Sequence, residues 1–273
     1  MSELRESEII ERLEEIQALL EEGDPESALE AADALVELVP GNLDAVEFRG
    51  TALMDLGDFE AAIECFDEVI KDDPKDPTGH ILRANALLEL GRLKDAEAAT
   101  STALALEPKN PDALATRAWI HDVAGRAKEA DADYRAVHKA DPESPPPPMR
   151  KTQAAFEALV EAAHAELPEE FRRGLDNVAI TIHDFPSLDL VTDPDCPVSL
   201  STLGYFDGVA LPDRHDADPM TQMPSHIQIF KRNLERQCDD EDSLREQVTI
   251  TLQHEIAHYF GWDEDDVARM GLE

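Results

Sequence analysis

Glycine recurs at Gly23, Gly57, Gly91 and Gly125, alanine at Ala28, Ala62, Ala96 and Ala130, and proline at Pro40, Pro74, Pro108 and Pro142, every series stepping by 34 residues. Three residue types held in one register over four periods define a tandem repeat. The physical roles fit a helix–turn–helix unit. Glycine ends the first helix by taking a left-handed backbone, and proline stops the second. Alanine belongs where the two helices press together. Apolar residues such as Leu53, Leu56, Ile63, Phe66, Val69 and Ile70 recur at helical spacing.

This pattern resembles the tetratricopeptide repeat over about residues 9–144. The resemblance implies an all-α solenoid with a concave surface for another protein. The large aromatic residue early in the first helix is replaced by Val46, His80 and Leu114, and the late aromatic of the second helix survives as Phe66 and Tyr134. The first repeat, around Glu15 and Ile16, is the least regular and reads as a cap. Arg49, Arg83 and Arg117 also step by 34. They could form a ladder for an acidic peptide, but in such acidic surroundings structural ion pairs to a neighbouring helix are the expected role. Trp119 and Tyr134 read as core residues.

Net charge is −37, from 61 acidic and 24 basic residues. Phosphate would be repelled, so neither nucleic acid nor an anionic membrane is an expected partner; a basic or neutral protein or peptide is. The same acidity fits a very soluble protein, or adaptation to high salt where screening removes self-repulsion. The sequence contains no apolar run long enough to span a bilayer. The start Met-Ser-Glu-Leu-Arg-Glu-Ser-Glu lacks signal-peptide character, so a cytoplasmic location is expected. Cys65, Cys196 and Cys238 are far apart and form no metal-binding pair, leaving His and carboxylate as metal ligands.

Residues 145–150, Pro-Pro-Pro-Pro-Met-Arg, favour extended polyproline II. They read as a semi-rigid linker between a repeat array over 1–144 and a second domain over 151–273. That domain predicts a helix from Lys151 to Glu166, alternating strands at Val178–His183 and His226–Phe230, a glycine-bounded strand or turn at Leu203–Val209, and a final helix: an α+β order. Ser243 with Glu246 has capping-box spacing for the final helix.

Val248, Leu252, Ile256 and Phe260 give this helix one apolar stripe. His254 lies two residues from both Leu252 and Ile256, about 200° around the helix, so it points away from that stripe. His258 is one turn further on the same face. Two imidazoles at i and i+4 can hold one metal ion, expected to be Zn2+. Glu255 between them is the residue type that takes the proton of a metal-polarised water. The full pattern is His254-Glu-Ile-Ala-His258-Tyr-Phe-Gly261-Trp-Asp-Glu264. Gly261 can take positive φ and turn the chain back, bringing Glu264 to the metal as third ligand. Asp263 and Asp265 are alternatives, Asp266 and Glu273 more remote ones. A third ligand roughly twenty residues past the second His, as in thermolysin-like enzymes, would fall beyond Glu273.

Leu167-Pro-Glu-Glu-Phe171, Asn177-Val-Ala-Ile180, Leu203-Gly204 with Gly208, Ile227-Gln-Ile-Phe230 and Thr251-Leu-Gln-His-Glu-Ile-Ala-His-Tyr-Phe-Gly261 together resemble a small bacterial zincin-like metallopeptidase family. The resemblance spans about residues 150–273. The family usually has Asp where Glu264 stands, and a Tyr of its glycine-flanked segment is Phe206 here, beside Tyr205. By analogy with zincin folds, Ile227, Gln228, Ile229 and Phe230 are expected to form the edge strand that binds substrate.

Two functions are therefore expected to compete. One is a zinc-dependent peptidase with Glu255 as general base and the repeats as a protein-binding module. The other is a non-catalytic scaffold whose zinc site is structural or vestigial.

Overall fold

The computed structural model describes residues 5–175, 178–194, 196, 198–212, 225–263, 266 and 269. The chain divides into two compact units, 1–141 and 142–273.

The first unit is four helical hairpins: α1 (Glu6–Glu21) with α2 (Pro25–Leu38), α3 (Leu43–Asp55) with α4 (Phe59–Asp72), α5 (Pro77–Glu89) with α6 (Leu93–Leu106), and α7 (Pro111–Val123) with α8 (Ala127–Ala140). The repeated residues do what their chemistry predicts. Gly23, Gly57, Gly91 and Gly125 take φ of 75°, 80°, 67° and 73°. The turns they permit close the same way each time: Gly57 N–H donates to Met54 O and Asp58 N–H to Leu53 O, and the other three repeats match. Ala28, Ala62, Ala96 and Ala130 are completely buried. Asp24, Asn42, Asp58, Asp76 and Asn110 cap helix starts by accepting backbone N–H bonds.

The arginine series forms ion pairs with a second helix. Arg49 reaches Asp33 at 2.7 Å and Arg83 reaches Asp67 at 2.5 Å, each pairing back to the preceding repeat. Arg117 instead reaches forward to Asp133 of its own repeat, with two bonds of 2.8 and 2.7 Å. Trp119 is buried, as expected of a core residue.

The second unit contains α9 (Gln153–Glu166), α10 (Glu169–Gly174), β1 (Ala179–His183), α11 (Leu188–Val191), β2 (Gly204–Asp207), β3 (His226–Phe230), α12 (Lys231–Gln237) and α13 (Glu241–Tyr259). The strands form one sheet in the order β1-β3-β2, with β1 parallel and β2 antiparallel to β3. Ile227 to Phe230 thus lie on the central strand, bonded on both sides, and do not form the expected substrate-binding edge. The physical reason is burial: Ile227, Ile229 and Phe230 are fully inaccessible, as suits the middle of a sheet. Ile227 and Ile229 meet Val248, Leu252 and Ile256 of α13 and Phe156 and Val160 of α9 in one core.

Helix α13 begins earlier than its Ser-Glu pair predicts. Asp240 is the cap, accepting from Ser243 N–H, while Ser243 Oγ accepts from Asp240 N–H. Asp240 and Ser243 satisfy each other's backbone N–H in a reciprocal capping box, and the Asp240 charge also suits a helix N-terminus. The end of the proline-rich segment is docked on this unit. Met149 packs on the core, and Lys151 N–H donates to the buried Glu235 at 2.7 Å. Glu235 also accepts from Arg232 at 2.6 Å, while Lys231 pairs with Asp184 at 2.8 Å. The three cysteines are free thiols. Among the described residues no helix is long and apolar enough to cross a membrane.

Candidate metal centre

Three turns of α13 build the site. Its apolar stripe is buried, with Val248 and Leu252 fully inaccessible, and this fixes the helix's rotation. His254 and His258 are consequently half-exposed on another face. Their Nε2 atoms converge to 2.9 Å, with the ring planes at 78°. Two nitrogens bound to one tetrahedral zinc at ordinary bond lengths stand about 3.3 Å apart. The pair is therefore spaced to share a single ion after a small opening.

The outer shell also fits. Phe260 ends the helix and Gly261 takes φ 84°, as its position in the motif predicts. Gly261 N–H donates to His258 O and Trp262 N–H to Ala257 O. This turn brings the Trp262 carbonyl to 3.1 Å from His258 Nδ1. A carbonyl can only accept, so Nδ1 carries the proton and His258 Nε2 presents a lone pair. His254 Nε2–H then donates to that lone pair; holding an ion requires His254 to move its proton to Nδ1. An aromatic cluster backs the turn, with Phe171 against Phe260 at 5.2 Å and against Trp262 at 5.9 Å. Tyr259, also buried, donates from its hydroxyl to Gly174 O at 2.9 Å.

Glu255 is 6% exposed and turns to the sheet side of the helix. It lies against Gly204, the first residue of β2, where a Cβ would come within 2.7 Å of Glu255 Oε1 and 2.8 Å of Thr251 Cγ2. A small cavity of about 220 Å³ opens here, lined by Thr202, Leu203, Gly204, Thr251, His254 and Glu255. The side-chain alternation of β2 places Gly204 and Phe206 toward α13, where Phe206 meets the Tyr259 ring at 5.8 Å. Tyr205 faces the other way, and burial, followed by a hydrogen bond with Cys196, raises its hydroxyl pKa well above the usual range. Tyr205 therefore does not stand in for a hydroxyl at position 206.

Glu264 and Asp265, two of the expected third ligands, lie outside the described residues, as does Glu273. Asp263 is exposed, and Asp266 N–H donates to its carboxylate at 2.9 Å. Among the described residues no three His, Cys, Asp or Glu side chains gather as a complete metal-binding set. The two histidines and Glu255 are brought together; the strand residues 227–230 are not part of the site's surface. Sequence reasoning missed two contributors. Gly204 was read within the glycine-bounded segment 203–209 and the family resemblance but given no role beside Glu255, and the Trp262 carbonyl leaves no signal in side-chain identity.

A repeat array followed by a small domain with an imidazole pair on one helix defines the class. Residues 19–86 and 81–145 match tetratricopeptide repeat families, and residues 175–272 match the zincin-like metallopeptidase family. The chain carries N-terminal tetratricopeptide repeats followed by a zincin-like metallopeptidase domain. No curated protein matches the sequence. Solved structures similar to it include MamA from Desulfovibrio magneticus RS-1, at 19% identity over 49% of this chain and 75% of that one, with TM-score 0.43. A thermophilic TPR protein in Thermus thermophilus is similar at 16% identity over 49% and 75%, with TM-score 0.47. The repeats support a protein-binding role.

Proposed function

We propose that the second unit is a zinc-dependent peptidase domain in which His254, His258 and Glu264 hold one Zn2+ and Glu255 is the general base. The convergence of the two Nε2 atoms to 2.9 Å beside a buried carboxylate carries this reading. When bound, the cation supplies Lewis-acid polarisation of a carbonyl oxygen and of water. Glu255 accepts a proton from the attacking water and returns it to the leaving amine. Its burial against Gly204 holds the carboxylate in one place, and His258 is oriented by the Trp262 carbonyl.

Substrate pairs with β2 in this reading, in place of residues 227–230. Among the described residues β2 is bonded on one side only, and its first residue lines the cavity beside Glu255. An extended chain added there would lay its carbonyls along the catalytic carboxylate. The repeat array recruits a protein partner, and the net charge of −37 favours a basic or neutral one.

One observation favours the scaffold reading. The cavity of about 220 Å³ is smaller than a usual small-ligand pocket. The Glu255→Gln variant decides between them in the full-length protein. The peptidase reading expects unchanged zinc content with hydrolysis of a peptide library lost. Zinc-loaded wild type that cleaves nothing would establish the scaffold, whereas a variant that cleaves as fast as wild type would remove Glu255 as the general base.

A further inference from the structure

The opposite edge of the sheet is also exposed. β1 is separated from β2 by β3, so it lies away from Glu255. The Ala179 N–H donates to Ser225 O at 3.2 Å, setting the phase of the β1–β3 ladder. In a parallel pair alternate residues bond to the same neighbour. Ala179, Thr181 and His183 therefore turn their amides and carbonyls to β3, while Ile180 and Ile182 turn theirs outward. Among the described residues no strand pairs on that side.

A groove of about 760 Å³ adjoins this edge, lined by β1, α9 and α10. Its floor is apolar: Val160 and Leu175 are each 5% exposed, and Val178, Ile180 and Ile182 are half-buried. Its rim carries the exposed carboxylates Glu157 and Glu161 on one turn of α9, against a single arginine, Arg172. An outward backbone edge beside an apolar floor is what an added strand needs, with alternate side chains going to the floor.

We propose that the β1 edge is a docking site for an extended basic peptide segment of a partner protein, which joins the sheet as a fourth strand. Charge selects this occupant over a second copy of the chain. Residues 142–273 hold 27 acidic against 10 basic side chains, so two copies repel while a lysine-rich strand is attracted to the Glu157–Glu161 rim. The site is independent of metal and of Glu255, and a partner held here leaves the β2 cleft open.

The test uses the full-length protein and two short probes: a labelled peptide alternating lysine and valine, and its glutamate–valine counterpart. Fluorescence anisotropy should show binding of the lysine peptide only, and hydrogen exchange should slow at the Ile180 and Ile182 amides. The double variant E157K/E161K changes two exposed positions and should keep the wild-type circular dichroism. It should weaken the lysine peptide at least about tenfold and admit the glutamate peptide. The proposal is overturned if neither peptide binds, if both bind alike, or if binding leaves those two amides unchanged. It is equally overturned if sedimentation shows self-association that already protects them.

Discussion

Glu255 Oε1 sits 2.7 Å from where a Cβ on Gly204 would be. The carboxylate proposed as general base therefore exists in its position only because β2 begins with a residue that has no side chain. This links a strand residue to a helix residue 51 positions later in the chain.

Gly204→Ala is expected to push Glu255 and Thr251 aside. The added methyl meets three side-chain atoms closer than 3 Å. Crowding of this kind costs about 1–3 kcal/mol in folding stability. Because His254 and His258 are untouched, zinc content should stay at the wild-type level while peptide hydrolysis falls. Loss of zinc together with hydrolysis would show that Gly204 supports the whole helix and not the carboxylate.

Zinc titration should raise the melting temperature of the second unit in proportion to the logarithm of free zinc, since a ligand of the native state stabilises by mass action. His258→Ala should abolish that rise. His258→Ala also removes the bond to Trp262 O, so its metal-free melting point should be slightly lower than wild type. An unchanged zinc response in that variant would place the metal elsewhere.

Two of the arginine pairs, Arg117–Asp133 and Arg49–Asp33, should differ in strength. Asp133 is 10% exposed and takes two bonds from Arg117, whereas the Asp33 side chain is 49% exposed. Asp133→Ala should cost about 1–3 kcal/mol because it removes a largely buried carboxylate that takes two charge-assisted bonds. Asp33→Ala should cost about 0–1 kcal/mol, since water replaces an exposed pair. Urea unfolding of the two variants measures the contrast, and equal losses would refute it.

Burial raises the Glu235 carboxyl above its ordinary pKa, against the lowering effects of Arg232 and the Lys151 amide. The native state then holds this proton over a pH range in which the unfolded chain has released it. Glu235 therefore subtracts stability as pH rises from its ordinary range through its folded pKa. The stability of Glu235→Gln relative to wild type should accordingly increase with pH across that range. Denaturant melts at several pH values test the sign; a relative stability that falls with rising pH would mean that the Arg232 contact outweighs burial.

The repeat array was legible because its information is local and periodic. Gly57 needs only its own turn to adopt positive φ, and Ala62 is fully buried at the same place in its repeat as Ala28, Ala96 and Ala130. The same holds for Gly261, whose turn was readable from its place after His258. The linker was less legible: its prolines forbid helix, but that Lys151 ties to Glu235 depends on a residue 84 positions away.

Sequence alone determined the four hairpins, the two imidazoles on one helical face and the turn that follows them, because helical periodicity and glycine conformation are properties of neighbours. Only the tertiary structure decided that residues 227–230 form the middle of the sheet and that Gly204 makes room for Glu255. Strand order and the contact between a strand and a distant helix are settled by which surfaces bury each other, and alternating side chains look the same on a central strand as on an edge.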